Sequence, residues 1–256
     1  MLVAERRGHV LVATLARPPV NAIDAALLGR LEAIVAQAET DESISLLHLR
    51  SAQRVFCAGA DLGLMRACFA EGTPERMVAL VRGMQQVFTR IEHAPFVTLA
   101  EIGGAALGGG LELALACDLR VAAHEAQLGL PEIGLGLLPA AGGTQRLTSL
   151  CGPGVARRLI LGGETVDGRE ACDLGLVQWA SPAEAVADFA AALAQRVAAH
   201  PRDAIAANKR CIAIATAAAK SGLAAEIDET RLLYAAASTQ ERIAAFLDRP
   251  HRAASA

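Results

Sequence analysis

PFVTLAEIGGAALGGGLELALACDLRVA, residues 95–122, is the stretch whose reading decides the fold. Pro95 ends whatever precedes it, and Phe96-Val97-Thr98-Leu99-Ala100 reads as a short buried strand. Gly108-Gly109-Gly110 then forms a turn that opens a helix through Cys117, and Leu119-Arg120-Val121-Ala122 reads as a second strand. A strand, a glycine turn, a helix and another strand in that order predict an α/β domain with the turn at a strand-to-helix junction.

Upstream, residues 2–16 read as a hairpin turning at Gly8, and Arg17-Pro18-Pro19 breaks it. Between Asp24 and Gln37, Leu27, Leu28, Leu31, Ile34 and Val35 recur at helical spacing. Ile44 to Leu49 is a short strand, and Gly59 and Gly63 mark a loop. Thr73 as N-cap and Pro74 at the first helical position predict a helix striped by Met77, Leu80, Val81, Met84, Val87, Phe88 and Ile91. Downstream, Ser181-Pro182-Ala183-Glu184 has the form of a capping box for a helix to His200. Pro201 opens another through Ala219, and two more are expected over 221–236 and 238–248, divided near Ser238, before a tail from Pro250. The chain therefore divides into an α/β body over 1–200 and a helical segment over 201–256, alanine-rich on one side and suited to packing on a neighbouring subunit. No sequence repeat stands out.

Composition narrows the function classes. With 53% apolar residues there is ample core, and aromatics are only 3%. A net charge of −3 with so few aromatics argues against a nucleic-acid partner, which wants a basic patch and stacking rings. The six cysteines show neither C-x-x-C spacing nor a zinc-like Cys/His cluster, so no metal site is expected and they read as unpaired thiols of a reducing compartment. The N-terminus lacks the layout of a signal peptide. The longest apolar run, Cys211 to Ala219, falls short of the ~18 residues a membrane span needs. The expectation is a cytoplasmic protein with no membrane association.

Two carboxylates stand out. Glu112 lies one turn into a helix that is otherwise Leu111, Leu113, Ala114, Leu115, Ala116 and Cys117. A charge there is paired, aimed into a cavity, or serves the helix dipole. Glu132 sits in an equally apolar, glycine-rich stretch, Leu128 to Leu138. The glycine turn itself has three readings: a phosphate cradle, an oxyanion hole, or close helix–strand packing. It matches neither common phosphate pattern. Two isolated carboxylates beside exposed backbone N–H groups suit acid/base chemistry on a carbonyl compound, in particular water addition to a conjugated double bond.

The run Ala106-Leu107-Gly108-Gly109-Gly110-Leu111-Glu112-Leu113-Ala114, followed by Cys117-Asp118, resembles the crotonase superfamily, the enoyl-CoA hydratase/isomerase family. Phe56-Cys57-Ala58-Gly59-Ala60-Asp61-Leu62 is similar to that family's other oxyanion-hole segment. Leu130-Pro131-Glu132-Ile133-Gly134-Leu135-Gly136, with Pro139 and Gly142-Gly143-Thr144-Gln145-Arg146-Leu147 behind it, matches the segment carrying the second glutamate. The resemblance runs from Arg17-Pro18-Pro19-Val20-Asn21-Ala22 to Ala244-Ala245-Phe246, nearly the whole chain. It implies a ClpP-like spiral of ββα units with a C-terminal helical trimerisation region, assembled as a homotrimer or as a hexamer (a dimer of trimers). It implies that the N–H groups of Ala60 and Gly109 hold the thioester carbonyl, and that Asn21, Ala22, Ala58, Asp61, Leu62, Gly108 and Pro131 line the acyl-CoA site. In hydratases of the family both glutamate positions are filled, so Glu112 is expected to activate water and Glu132 to exchange the α-carbon proton, without metal or redox cofactor. The runner-up readings are a Δ3,Δ2-enoyl-CoA isomerase, which needs one base, and a carnitinyl-CoA-type dehydratase. An RNA-binding relative and a silent scaffold are the other classes. Gly104, Ala105, Leu130 and Ala140 depart from the commonest pattern around the acyl pocket. Arg249 stands near a position where the family often contacts a coenzyme A phosphate.

Overall fold

The computed structural model describes residues 1–215 and 222–248. Strands β1 (Leu2–Arg7) and β2 (Val10–Leu15) form the expected hairpin, with Leu2 opposite Leu15 and Arg7 opposite Val10. Helix α1 (Ala25–Thr40) is capped by the Asp24 carboxylate, which accepts from the Leu27 N–H. It buries the five expected apolar residues and Ala38. Strand β3 (Leu46–Ser51) starts two residues later than Ile44. Helix α3 (Pro74–Glu92) carries the apolar stripe, although the Thr73 side chain makes no capping bond.

Beyond α3 come β4 (Val97–Ile102), the two-residue β5 (Ala106–Leu107) and α4 (Gly109–Leu115). Then follow β6 (Leu119–Ala123), β7 (Leu128–Gly129), a 3-10 turn at Pro131–Leu135, and α5 (Gly143–Leu161), which kinks at Gly152. Strands β2, β3, β4, β6 and β9 (Trp179–Ser181) run parallel, with β1 antiparallel at the edge, in the order β1-β2-β3-β4-β6-β9. A second sheet holds β5, β7 and β8 (Thr165–Val166). Each unit thus runs a long strand in the first sheet, a short strand in the second, then a helix: β4–β5–α4, then β6–β7–α5. This is the spiral of ββα units that the resemblance implies. Their kinship is invisible in sequence because the shared short strand is two residues long and the helices differ in length.

Several expectations change. Helix α2 (Leu62–Ala70) occupies part of the region read as loop, with Gly63 inside it, because the Asp61 carboxylate accepts from the Leu64 N–H and starts a helix there. The capping box at Ser181 is not one: Ser181 ends β9, opposite Ala123, and its carbonyl accepts from His124. Helix α7 (Val186–Ala198) begins five residues later, behind a turn in which Ala185 donates to the Pro182 carbonyl. The short α6 (Gly168–Asp173) and the long α5 were not assigned from sequence.

Helix α7 covers β2, β3, β4, β6 and β9, and the ring of Phe189 lies 6.0 Å from that of Trp179. Helix α8 (Arg202–Ala215) is fastened at its start by Arg202, whose guanidinium donates to the carbonyls of Ala38, Glu39, Asp41 and Ile44. These include carbonyls left over at the end of α1. Helices α9 (Gly222–Ala235) and α10 (Ala237–Leu247) divide at Ala236. They pack on α2, α3, α5 and the 3-10 turn of their own chain. Residues 216–219, expected as the end of α8, and the tail from Pro250 lie outside the described residues. No described helix is long and apolar enough to cross a membrane.

Candidate active site

The site is built at the N-terminus of α4. Gly108 precedes it with φ 52° and ψ −128°, a conformation that a side chain would strain. The helix can approach the Cys57 segment only because residue 110 lacks a Cβ, which would lie 2.1 Å from the Cys57 carbonyl oxygen. That segment joins β5 through an isolated bridge, Cys57 to Ala106, and the Leu107 N–H donates to the Cys57 carbonyl at 3.0 Å. The two glycine-rich segments are thereby locked side by side. A Cβ built on Gly59 would lie 3.2 Å from the Gly109 nitrogen, and one on Gly109 would lie 3.6 Å from the Ala60 nitrogen. Among the described residues neither N–H donates to another group of the chain. A carbonyl oxygen placed between them would meet two preorganised donors.

Both glutamates lie on the elements that meet here. Every residue of α4 is buried, and Glu112 is only 3% exposed. Its Oε1 accepts from the backbone N–H of Ala141 at 2.7 Å and of Gly143 at 2.8 Å. Two such bonds on one oxygen favour the ionised form of a buried carboxylate. Glu132 reaches the other side of the turn: a Cβ on Gly108 would sit 3.0 Å from its Oε1. It is held by the 3-10 turn, where Leu137 donates to the Glu132 carbonyl. The C-terminal helices close over this turn. The Thr239 hydroxyl donates to the Gly136 carbonyl at 3.1 Å. Tyr234 brings a buried phenol near Glu132, and burial above all, with the Glu132 carboxylate adding to it, pushes its hydroxyl up and keeps it neutral.

A family model described as enoyl-CoA hydratase/isomerase matches residues 5–252. The chain belongs to the enoyl-CoA hydratase/isomerase family. It is 43% identical over 190 residues to a probable enoyl-CoA hydratase of Bacillus subtilis, covering 74% of this chain and 72% of that one. It is 37% identical over 250 residues to the 2,3-dehydroadipyl-CoA hydratase of Escherichia coli, covering 97% and 96%. The crystal structure of an enoyl-CoA hydratase from Bacillus halodurans superposes with a TM-score of 0.88 at 27% identity, over 95% of this chain and 99% of that one. The fold is therefore the crotonase fold, and acyl-CoA thioesters are the substrate class of the family.

Within this member of the family the remaining expected site residues fall into two groups. Ala58, Ala60, Asp61, Leu62, Gly108, Gly109 and Pro131 lie on the segments that meet at the two free N–H groups. Asn21 is different. It is fully buried with φ 52°, and its amide donates to the Ser51 hydroxyl at 2.7 Å and the Phe56 carbonyl at 2.9 Å. Its side-chain oxygen accepts from the Arg17 N–H at 2.8 Å. This side chain fastens the Arg17–Ala22 loop to the segment that ends at Cys57. Arg17 completes the knot: its Nη2 lies 2.7 Å from Asp61 and 3.0 Å from Asp24, and its Nη1 donates to the Ala22 carbonyl. Burial pushes the Asp61 carboxyl up, but the Leu64 N–H, the Arg17 guanidinium and the Gly63 N–H together hold it below the ordinary aspartate range. Arg249 lies outside the described residues. Sequence reasoning missed Gln85, Arg146 and Tyr234, each buried beside the site. The signal for Gln85 was present: it interrupts the apolar stripe of α3 four residues after Val81.

Proposed function

We propose that this chain catalyses the reversible hydration of a 2-enoyl-CoA to the 3-hydroxyacyl-CoA. The observation that supports it is that α4 and the 3-10 turn carry one glutamate each, Glu132 lying against Gly108, on the elements that meet at the backbone donors of Ala60 and Gly109. In this reading the thioester oxygen binds between Ala60 and Gly109. One carboxylate takes a proton from water as the water oxygen bonds to C3. The displaced electron pair moves into an enolate held by the two N–H groups, and the other carboxyl group delivers a proton to C2. The sum is addition of one water across the double bond, with no metal or redox cofactor required. The two N–H bonds to its Oε1 keep Glu112 as a carboxylate, the form that can accept a proton from water, and Glu132 is left to serve the α-carbon. An isomerase moves one proton and needs one carboxylate, so the presence of both supports hydration.

Coenzyme A would lie along Ala22, Ala58 and Asp61. Assembly as a trimer or a dimer of trimers accompanies this reading. The similarity to a 2,3-dehydroadipyl-CoA hydratase over almost the full length is the reason to try a dicarboxylic enoyl thioester beside crotonyl-CoA. The test follows loss of the conjugated thioester absorbance with crotonyl-CoA and with 2,3-dehydroadipyl-CoA, for the native protein and for Glu112→Gln and Glu132→Gln. Each substitution should lower kcat by about 10² to 10⁴-fold, the worth of a positioned acid or base. Undiminished hydration by E112Q would overturn the mechanism; double-bond migration without hydration would move the reading to an isomerase.

A further inference from the structure

Glu112 is held by the loop Pro139 to Gly143, and that loop is itself held from α3. The Gln85 side chain, 8% exposed, donates through Nε2 to the Ala140 carbonyl at 2.6 Å. The N–H on the far side of the same peptide unit is that of Ala141, which donates to Glu112 Oε1 at 2.7 Å. A trans peptide is planar, with C=O and N–H pointing in opposite directions. Fixing the carbonyl to Gln85 therefore aims the N–H at the carboxylate. The next peptide is gripped in the same way. Arg146, 7% exposed, donates from Nη1 to the Ala141 carbonyl at 2.9 Å, and its Nη2 pairs with Glu92 at 2.9 Å and meets the Thr89 hydroxyl at 3.3 Å. Gln85, Thr89 and Glu92 follow one another at four and three residues, so they form one face of α3. The neighbouring Met84 meets Gly109 from the same helix: a Cβ on Gly109 would lie 2.6 Å from the Met84 methyl.

We infer that Gln85 is a positioning residue, acting on Glu112 through the Ala140–Ala141 peptide unit, with Arg146 steadying the following unit. This rests on the reading of Glu112 as a catalytic residue. No bond is made or broken at Gln85; its work is to keep an N–H donor on the ionised carboxylate. Without it the peptide unit tilts, the donor weakens, and Glu112 becomes easier to protonate.

The test compares Gln85→Met, which keeps length and removes the donor, with Glu112→Gln and the double variant, using crotonyl-CoA. Q85M should lower kcat about tenfold, with KM within about twofold, and move the acid limb of the kcat profile up by about half a pH unit. On the E112Q background the same substitution should cost less than about twofold, because the group it serves is gone. A general packing defect would lower both backgrounds equally and leave the acid limb in place, and that result overturns the inference. So does a Q85M enzyme with native kcat and profile while E112Q is inactive. An active E112Q would instead remove the reading of Glu112 itself. If Q85M does not yield folded protein, Gln85→Asn withdraws the amide by one methylene and carries the same expectations.

Discussion

Replacing Gly110 with Ala should be among the most damaging single-methyl additions in the molecule. The new Cβ would stand 2.1 Å from the Cys57 carbonyl oxygen, 2.7 Å from its carbon and 2.8 Å from the Cys57 Cβ. Carbon–carbon contacts settle at about 3.5–4.0 Å, so the α4 backbone and the Cys57 segment must separate by about 1 Å. No flexible side chain is available to give way, because two of the three atoms are backbone. The same carbonyl accepts the Leu107 N–H at 3.0 Å, so the movement also loosens the bridge that pairs the two glycine-rich segments. Overpacking of this kind costs about 1–3 kcal/mol of stability. A displacement of about 1 Å at reacting groups costs about 10²-fold in rate. Urea unfolding followed by circular dichroism reads the first, and hydration of crotonyl-CoA reads the second. Gly29→Ala is the control: its Cβ meets nothing within 4 Å, it sits inside α1, and it should gain about 0.5–1 kcal/mol with unchanged kcat. A folded G110A enzyme with native stability and native kcat would refute close approach as the reason for that glycine.

Arg202→Ala strips four carbonyls of a charged donor and should cost about 2–4 kcal/mol, with α8 the first element to lose amide-exchange protection; protection equal to native at α8 would show that the anchor is dispensable. Burial pushes the Cys57 and Cys117 thiols up to about 12, so neither forms thiolate at pH 8. Exposed Cys211 should react first with a disulfide reagent, and Cys57 and Cys117 only on unfolding, as peptide mass analysis of the labelled protein would show. Because the folded Asp61 carboxyl lies below its unfolded value, the stability it lends is full above about pH 4 and fades as pH falls through the folded value. Asp61→Asn keeps a capping oxygen but loses the charge beside Arg17, so the gap in Tm between native and variant should close on acidification; a gap independent of pH would count against the ion pair.

Periodic elements are legible in the sequence itself. The hairpin, α1 and α3 announce themselves because each repeats an apolar residue every second or every third and fourth position, and such patterns are local. Helices α2 and α5 escaped for the opposite reason. One starts at a cap, Asp61, amid glycines, and the other carries a kink at Gly152, so neither shows a clean period. The capping box at Ser181 misled because a short strand had the prior claim on those backbone groups. Two-residue strands such as β5 and β7 carry no period at all.

The same division runs through the site. By itself the sequence determined that Glu112 and Glu132 are isolated charges among apolar neighbours, and that a triple glycine opens a helix, since a carboxylate in such company is costly wherever it lies. Only the tertiary structure decided what satisfies Glu112: the N–H groups of Ala141 and Gly143, about thirty residues downstream, presented by a loop that Gln85 and Arg146 hold from two further helices. It also decided that Asn21 is spent inside the protein, and that α9 and α10 close over Glu132 in the same chain. Backbone donors have no residue identity, so no reading of side-chain types can announce them. Their aim is set by which distant elements pack together.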